Sequence, residues 1–192
     1  MKIVGVTGGI GSGKSVVCRI FETLGIPVFD SDAVAKCIIA DDERVREQIK
    51  LLLGQNVYNG PVPDRGAIAA QVFNDPQKLK ALNAIIHPKV AEAFEGWKSG
   101  QQAPYVIREA AILFESGAHV STDVVITVSA PEALRISRVT ARDGRSEAAI
   151  RNIMSRQLTD EERKAKSDFE LLNDDQTAVL PQVLRLHELL SK

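Results

Sequence analysis

The chain reads as an α/β protein built on a mostly parallel five-stranded sheet, and three observations predict it. A short apolar, partly β-branched run, Ile3-Val4-Gly5-Val6-Thr7, leads straight into a glycine-rich stretch and then a helical pattern. Further runs of the same strand type recur, with helix-length segments between them. About 70 residues between the second and third strands are too long for one crossover helix and too patterned for a loop.

Taken in order, residues 8–15 read Gly8-Gly9-Ile10-Gly11-Ser12-Gly13-Lys14-Ser15, which is G-x-x-x-x-G-K-S, the phosphate-binding P-loop. Gly8, Gly9, Gly11, Ser12 and Gly13 let the backbone curl its N–H groups around a phosphate. The helix starting near Gly13 adds the positive end of its dipole. Lys14 supplies a flexible point charge for the outer phosphates, Ser15 a hydroxyl for Mg²⁺, and Val16 the last amide expected at phosphate. The helix runs over 16–24 and stops at Gly25, a C-cap residue.

The second strand is Pro27-Val28-Phe29, followed by Asp30-Ser31-Asp32. Carboxyl ends of neighbouring strands line one crevice in open α/β sheets, so Asp32 is placed to take a proton from an attacking hydroxyl or to order metal-bound water. Asp30 is read equally as a helix cap or as a site group. Helical pieces follow at 32–39, 43–53, 65–73 and 77–97, separated by Gly54, by Asn59-Gly60-Pro61 and by Asp75-Pro76. They form an expected helical lobe over about 31–102, inserted as a binding wall.

The third strand, Tyr105–Arg108, ends at Glu109, and the fourth is Val124–Val128. Ser129-Ala130-Pro131-Glu132 reads as a capping box opening a helix with Arg135, Arg138 and Arg142 on one face. Asp143-Gly144 breaks it, Ser146 caps a helix to about Gln157, and Thr159 opens another. Residues 130–166 are therefore an expected lid that brings guanidinium groups to a transferring phosphoryl group; Arg138 and Arg142 are its preferred cations, ahead of Arg145. A weaker fifth strand, Phe169–Leu172, precedes a packing helix over about 176–190. His119 and His187 sit in no motif and are taken as surface residues.

Composition narrows the class. The 192 residues suit one core with a satellite lobe; 44% are hydrophobic and 26% charged, with net charge −1, which argues against a large nucleic-acid footprint. Cys18 and Cys37 make no disulfide framework and favour a reducing compartment. One lysine then a strand is no signal peptide, no apolar run approaches membrane length, and a cytoplasmic protein without an obligate protein partner is expected. The chain lacks N-K-x-D and a strand-following D-x-x-G, which removes the usual guanine-nucleotide switch. What remains is a single P-loop kinase domain over 1–192, with an inserted acceptor lobe and a helical lid.

The ordered motifs resemble the dephospho-coenzyme A kinase family over nearly the whole chain. The matching segments are Thr7–Ser15, Asp30-Ser31-Asp32-Ala33-Val34-Ala35, Asp64-Arg65, Val72-Phe73-Asn74-Asp75, His87-Pro88, Arg138-Val139-Thr140-Ala141-Arg142-Asp143, Ser167-Asp168 and Leu172-Asn173. One segment departs: the family's D-x-P-L-L-F-E reads Glu109-Ala110-Ala111-Ile112-Leu113-Phe114-Glu115, keeping a carboxylate on a longer arm and losing a proline. The resemblance implies ATP-dependent phosphorylation of the ribose 3′-hydroxyl of dephospho-coenzyme A. It also implies Mg²⁺, adenine held near Asn173, and acceptor contacts from Arg65, His87, Lys89, Asp32 and Glu109. A nucleoside monophosphate kinase, or another small-molecule P-loop kinase, is the alternative.

Overall fold

The computed structural model describes residues 1–73 and 75–192; Asn74, part of the family-like segment at 72–75, lies outside the described residues. In chain order the elements are β1 (Lys2–Thr7), α1 (Lys14–Thr23), β2 (Val28–Asp30), α2 (Ser31–Asp41), α3 (Glu43–Leu53), β3 (Tyr58–Asn59), β4 (Val62–Pro63), α4 (Arg65–Phe73), α5 (Pro76–Ser99), β5 (Tyr105–Glu109), β6 (Val124–Ser129), α6 (Glu132–Asp143), α7 (Glu147–Met154), α8 (Asp160–Lys166), β7 (Phe169–Leu172) and α9 (Val179–Leu190). They divide into two compact units, Met1–Asp30 with Gln101–Lys192, and Ser31–Gly100.

The first unit carries the predicted five-stranded sheet, in the order β2-β5-β1-β6-β7, with every pairing parallel. The register aligns Val6 with Glu109 and Ile126, and Asp30 with Glu109, so three strands reach their carboxyl ends at one level beside the P-loop. Val4 and Val6 of β1 are fully buried against Val17, Cys18 and Phe21 of α1 and Val183, Leu186 and Leu190 of α9. Each such apolar side chain contributes roughly 1.5–3 kcal/mol relative to exposure. That packing anchors both ends of the P-loop on rigid elements.

In the second unit α5 is the central element, packing with α2, α3 and α4. Its Leu82, Ile86, Val90 and Phe94 are buried at helical spacing. Asp42, Asp64 and Asp75 each accept backbone N–H groups at the start of α3, α4 and α5 respectively. The Asn59-Gly60-Pro61 turn joins the two-stranded hairpin β3-β4, which the sequence pattern did not announce because each strand is two residues long.

Several local expectations are corrected. The strand β2 covers Val28–Asp30, so Pro27 stands outside it and Asp30 is its last residue. Ser129 is no helix cap: it belongs to β6 and its hydroxyl donates to Glu170 Oε1 at 2.6 Å, while Pro131 takes the N-cap position without a side-chain bond. Pairing with β7 outbids capping there because Ser129 lies in register with Leu172, alongside Glu170. The helix capped by Ser146 ends at Met154 rather than Gln157, and the last helix starts at Val179, because the Asp174 carboxylate draws the amides of Gln176 and Thr177 into a turn. Neither unplaced histidine is a plain surface group. His187 Nδ1 lies 2.8 Å from the Tyr105 hydroxyl, and His119 stacks on Phe114 with ring centroids 5.1 Å apart.

Candidate active site

The P-loop joins β1 to α1 with Gly11 and Gly13 at φ of 80° and 92°, values that L side chains resist. Ser12 donates its amide to Gly9 O at 3.1 Å, which closes the curl. Lys14 Nζ folds back onto Gly8 O at 2.9 Å, so the cation sits over the loop it is meant to serve. Val16 gives its N–H to Gly13 O at 3.0 Å, and its side chain is exposed. That amide's one hydrogen is used in the first turn of α1.

Ser15 Oγ donates toward Glu109 Oε1 at 3.5 Å, which puts the hydroxyl expected to serve Mg²⁺ beside a carboxylate expected to serve the acceptor. Glu109 is nearly buried at the end of β5 and also accepts from the Cys18 thiol, one turn into α1. Burial first, and the Glu109 carboxylate second, push the Cys18 pKa far up, so that thiol stays neutral and donating. The Ser15 hydroxyl and the Glu109 carboxylate are hard oxygen donors of the kind Mg²⁺ selects. Among the described residues no group of three or more His, Cys, Asp or Glu forms a cation cage. The pair therefore fits an ion that takes its remaining ligands from phosphate and water.

The predicted lid arginines separate. Asn173, just past β7, donates Nδ2 to Ser12 O at 2.8 Å. Arg138 donates to Asn173 O at 3.1 Å and to its Oδ1 at 3.3 Å, and pairs with Asp175. A Cβ at Gly13 would collide with Asn173 Nδ2 and lie 4.0 Å from Arg138 Nη1, so both side chains border the phosphate loop. Asp175 takes φ 63°, uncommon for a residue with a Cβ. One turn on, Arg142 is exposed and forked onto its neighbour Asp143 at 2.7 and 2.9 Å; their hydrogen bond raises the arginine pKa and lowers the carboxyl one. Arg145 lies on the same carboxylate at 3.6 Å. The stripe read at i, i+3, i+7 thus points one cation at the P-loop and leaves another in solvent.

Sequence reading passed over the outer wall of the P-loop. Arg135, read only as part of the stripe, is buried, and so is Arg163, which stands in an otherwise solvated-looking Asp-Glu-Glu-Arg-Lys run. Both pair with Asp160. Gln157 Oε1 accepts the Ile10 amide at 2.9 Å. Local spacing offers only the Arg163–Asp160 pair, three residues apart; Asp160 meets Arg135, and Gln157 meets Ile10, from separate segments of the chain.

In the second unit, Asp32 is half-buried in the first turn of α2. Arg65 is exposed at the start of α4, beside Asp64, whose carboxylate takes the Ala67 amide at 2.9 Å. His87 is half-buried on α5, and Lys89, two residues on, pairs with Glu92 at 3.0 Å.

Comparison with known proteins gives these groups a common setting. The family model described as dephospho-CoA kinase matches residues 2–178, a span that contains every candidate residue from Gly8 to Asn173. A dephospho-CoA kinase of Porphyromonas gingivalis is 42% identical over 189 residues, covering 98% of this chain and 94% of the relative. A crystal structure from Thermus thermophilus superposes with TM-score 0.86 at 36% identity, covering 98% of this chain and 95% of that one. The dephospho-CoA kinase of Campylobacter jejuni does so with TM-score 0.70 at 27% identity, covering 100% and 98%.

Proposed function

The chain belongs to the dephospho-CoA kinase family, and from that membership we propose that it transfers the γ-phosphoryl group of ATP to the ribose 3′-hydroxyl of dephospho-CoA, giving CoA and ADP. The observation that carries this reading is the family match over residues 2–178, a span that includes the P-loop, Asp32, Glu109, the Arg138 segment and Asn173. No described helix is long and apolar enough to cross a membrane. A cytoplasmic site of action is part of the same proposal.

The residues divide the work. The P-loop amides and the α1 dipole receive the β- and γ-phosphates, and Lys14 swings from Gly8 O to the outer oxygens. Ser15, with Glu109 behind it, would hold Mg²⁺, which would neutralise charge on the phosphates. Asn173 closes the adenosine side of the loop. Asp32 accepts the proton of the 3′-hydroxyl as its oxygen bonds to the γ-phosphorus and the bond to the departing ADP oxygen breaks. Arg138 meets the charge that develops there, and Arg142, exposed on Asp143, makes a smaller contribution. Arg65, His87 and Lys89 bind the acceptor's pyrophosphate and ribose.

The test is coupled ADP release with dephospho-CoA as the sole acceptor, with the product checked by mass and by its 3′-phosphate. Release that requires dephospho-CoA is the expected result. Release with AMP or a nucleoside, and none with dephospho-CoA, would overturn it.

A further inference from the structure

The largest fully buried side chain in the described protein is a charged one, Arg163. A guanidinium is buried at a cost that only charged and hydrogen-bonded partners offset. Its partners are the Asp160 carboxylate and the Leu158 carbonyl. Arg135, 6% exposed, bonds the other oxygen of the same carboxylate at 3.1 Å. Two cations on one anion leave a positive charge in the protein interior.

That charge lies directly behind the P-loop. A Cβ at Gly9 would collide with Arg135 Nη1 and stand 2.8 Å from Arg163 Nη2; one at Gly11 would stand 2.6 Å from the Arg135 carbonyl oxygen. Between them, the Ile10 amide is held by Gln157 Oε1 at 2.9 Å, and Gln157 Nε2 reaches Ala111 O at 3.4 Å, two residues beyond Glu109. The Ile10 side chain packs with Ile136, Val139, Ile150 and Met154. Three consecutive loop residues are thus gripped on their outer face by α6, α7 and α8.

We infer that Gln157, Arg135, Asp160 and Arg163 are positioning residues for the donor site. They hold Gly9–Gly11 in the phosphate-receiving shape before nucleotide arrives. Nucleotide binding then pays little conformational entropy to order the loop. The inference rests on the reading of the P-loop as the ATP site. It also explains why position 9 is glycine although its φ demands none: the guanidinium pair occupies the space of a side chain.

The experiment measures the dissociation constant of a non-hydrolysable ATP analogue with Mg²⁺, steady-state constants for both substrates, and melting temperature, in the full chain. Gln157→Ala removes one acceptor at a half-exposed position, so folding is not at risk. It is expected to weaken analogue binding and raise KM for ATP about 3–10-fold, the range of one lost hydrogen bond. kcat and KM for dephospho-CoA should stay within about twofold. Arg163→Lys, which keeps the charge and loses the fork, is expected to weaken binding further, by about 10–100-fold. Unchanged analogue affinity in Gln157→Ala, or a fall in melting temperature with affinity intact in Arg163→Lys, would reduce the cluster to a structural rivet and overturn the inference. Wild-type protein that fails to bind the analogue would instead remove the donor-site reading on which the inference stands.

Discussion

The unit made of residues 1–30 and 101–192 and the unit made of residues 31–100 hold their candidate site groups in different ways. In the first, the groups are set by partners remote in sequence: Asn173 on Ser12, Gln157 on Ile10, Glu109 on Ser15. In the second, Lys89, and Asp64 beside Arg65, make local helix contacts, to Glu92 and to the Ala67 amide. The proposed donor groups are therefore assembled by the sheet and its flanking helices, whereas the proposed acceptor groups ride on a helical scaffold. The two regions should respond differently to mutation: donor-side changes in the ATP terms, acceptor-side changes in the dephospho-CoA terms.

The largest effect should come from the donor side. Lys14→Ala is expected to lower kcat by about 10³–10⁵, as loss of a cation on the transferring phosphoryl group does. Steady-state turnover at saturating ATP checks it, and surviving turnover would break the electrostatic account of the loop. Next is the group that crosses the comparison: Asp32→Asn should lower kcat by about 10²–10⁴ with ATP affinity nearly intact. A near-normal rate there would demote Asp32 to a helix-start residue. Within α6 the comparison sharpens. Arg138→Met is expected to cost about 10²-fold in kcat/KM and Arg142→Met less than about 5-fold, because one borders the P-loop and the other is exposed on Asp143. Equal losses would show that the exposed turn closes onto substrate. On the acceptor side, Arg65→Ala should raise KM for dephospho-CoA about 10-fold and leave KM for ATP alone, the pattern of lost uniform binding.

The smallest effect is on stability. Burial raises the Cys18 pKa above its ordinary value of 9.0 and the Tyr105 pKa above 10.0, and raises Tyr58 too. A group whose pKa is higher folded than unfolded binds its proton more tightly in the folded state. Its contribution is complete below the unfolded value and is lost as pH rises through the folded one. Melting temperature should therefore decline above about pH 9, each group adding up to about 1.4 kcal/mol per pH unit to the slope. Cys18→Ala should flatten the onset of that decline in a pH series of melts. In the same protein, a thiol reagent at pH 8 should label exposed Cys37 and spare Cys18.

Much of this was legible in the residues themselves, for reasons that act over a few positions. Gly11 and Gly13 advertise a backbone that only glycine takes easily, and Lys14-Ser15 then name the anion and cation chemistry. Buried parallel strands show as β-branched runs, so β1, β5 and β6 were plain, as were α3 and α4 to the residue. Ser129 misled because a hydroxyl before a helix and a hydroxyl at a strand end look alike until β7 supplies Glu170.

The arginines mark the boundary. Helical spacing alone put Arg135, Arg138 and Arg142 on one flank of α6 and made a cationic stripe certain. Their fates could be decided only by folding: Arg135 buried against Gly9 with Asp160, Arg138 beside Asn173, Arg142 in water on Asp143. A glycine's torsion is a property of its own backbone and can be read where it stands. A guanidinium's energy is set by which carboxylate, carbonyl or solvent surrounds it, and for Arg135 and Arg138 those neighbours, Asp160 and Asn173, come from later segments that only folding brings alongside α6.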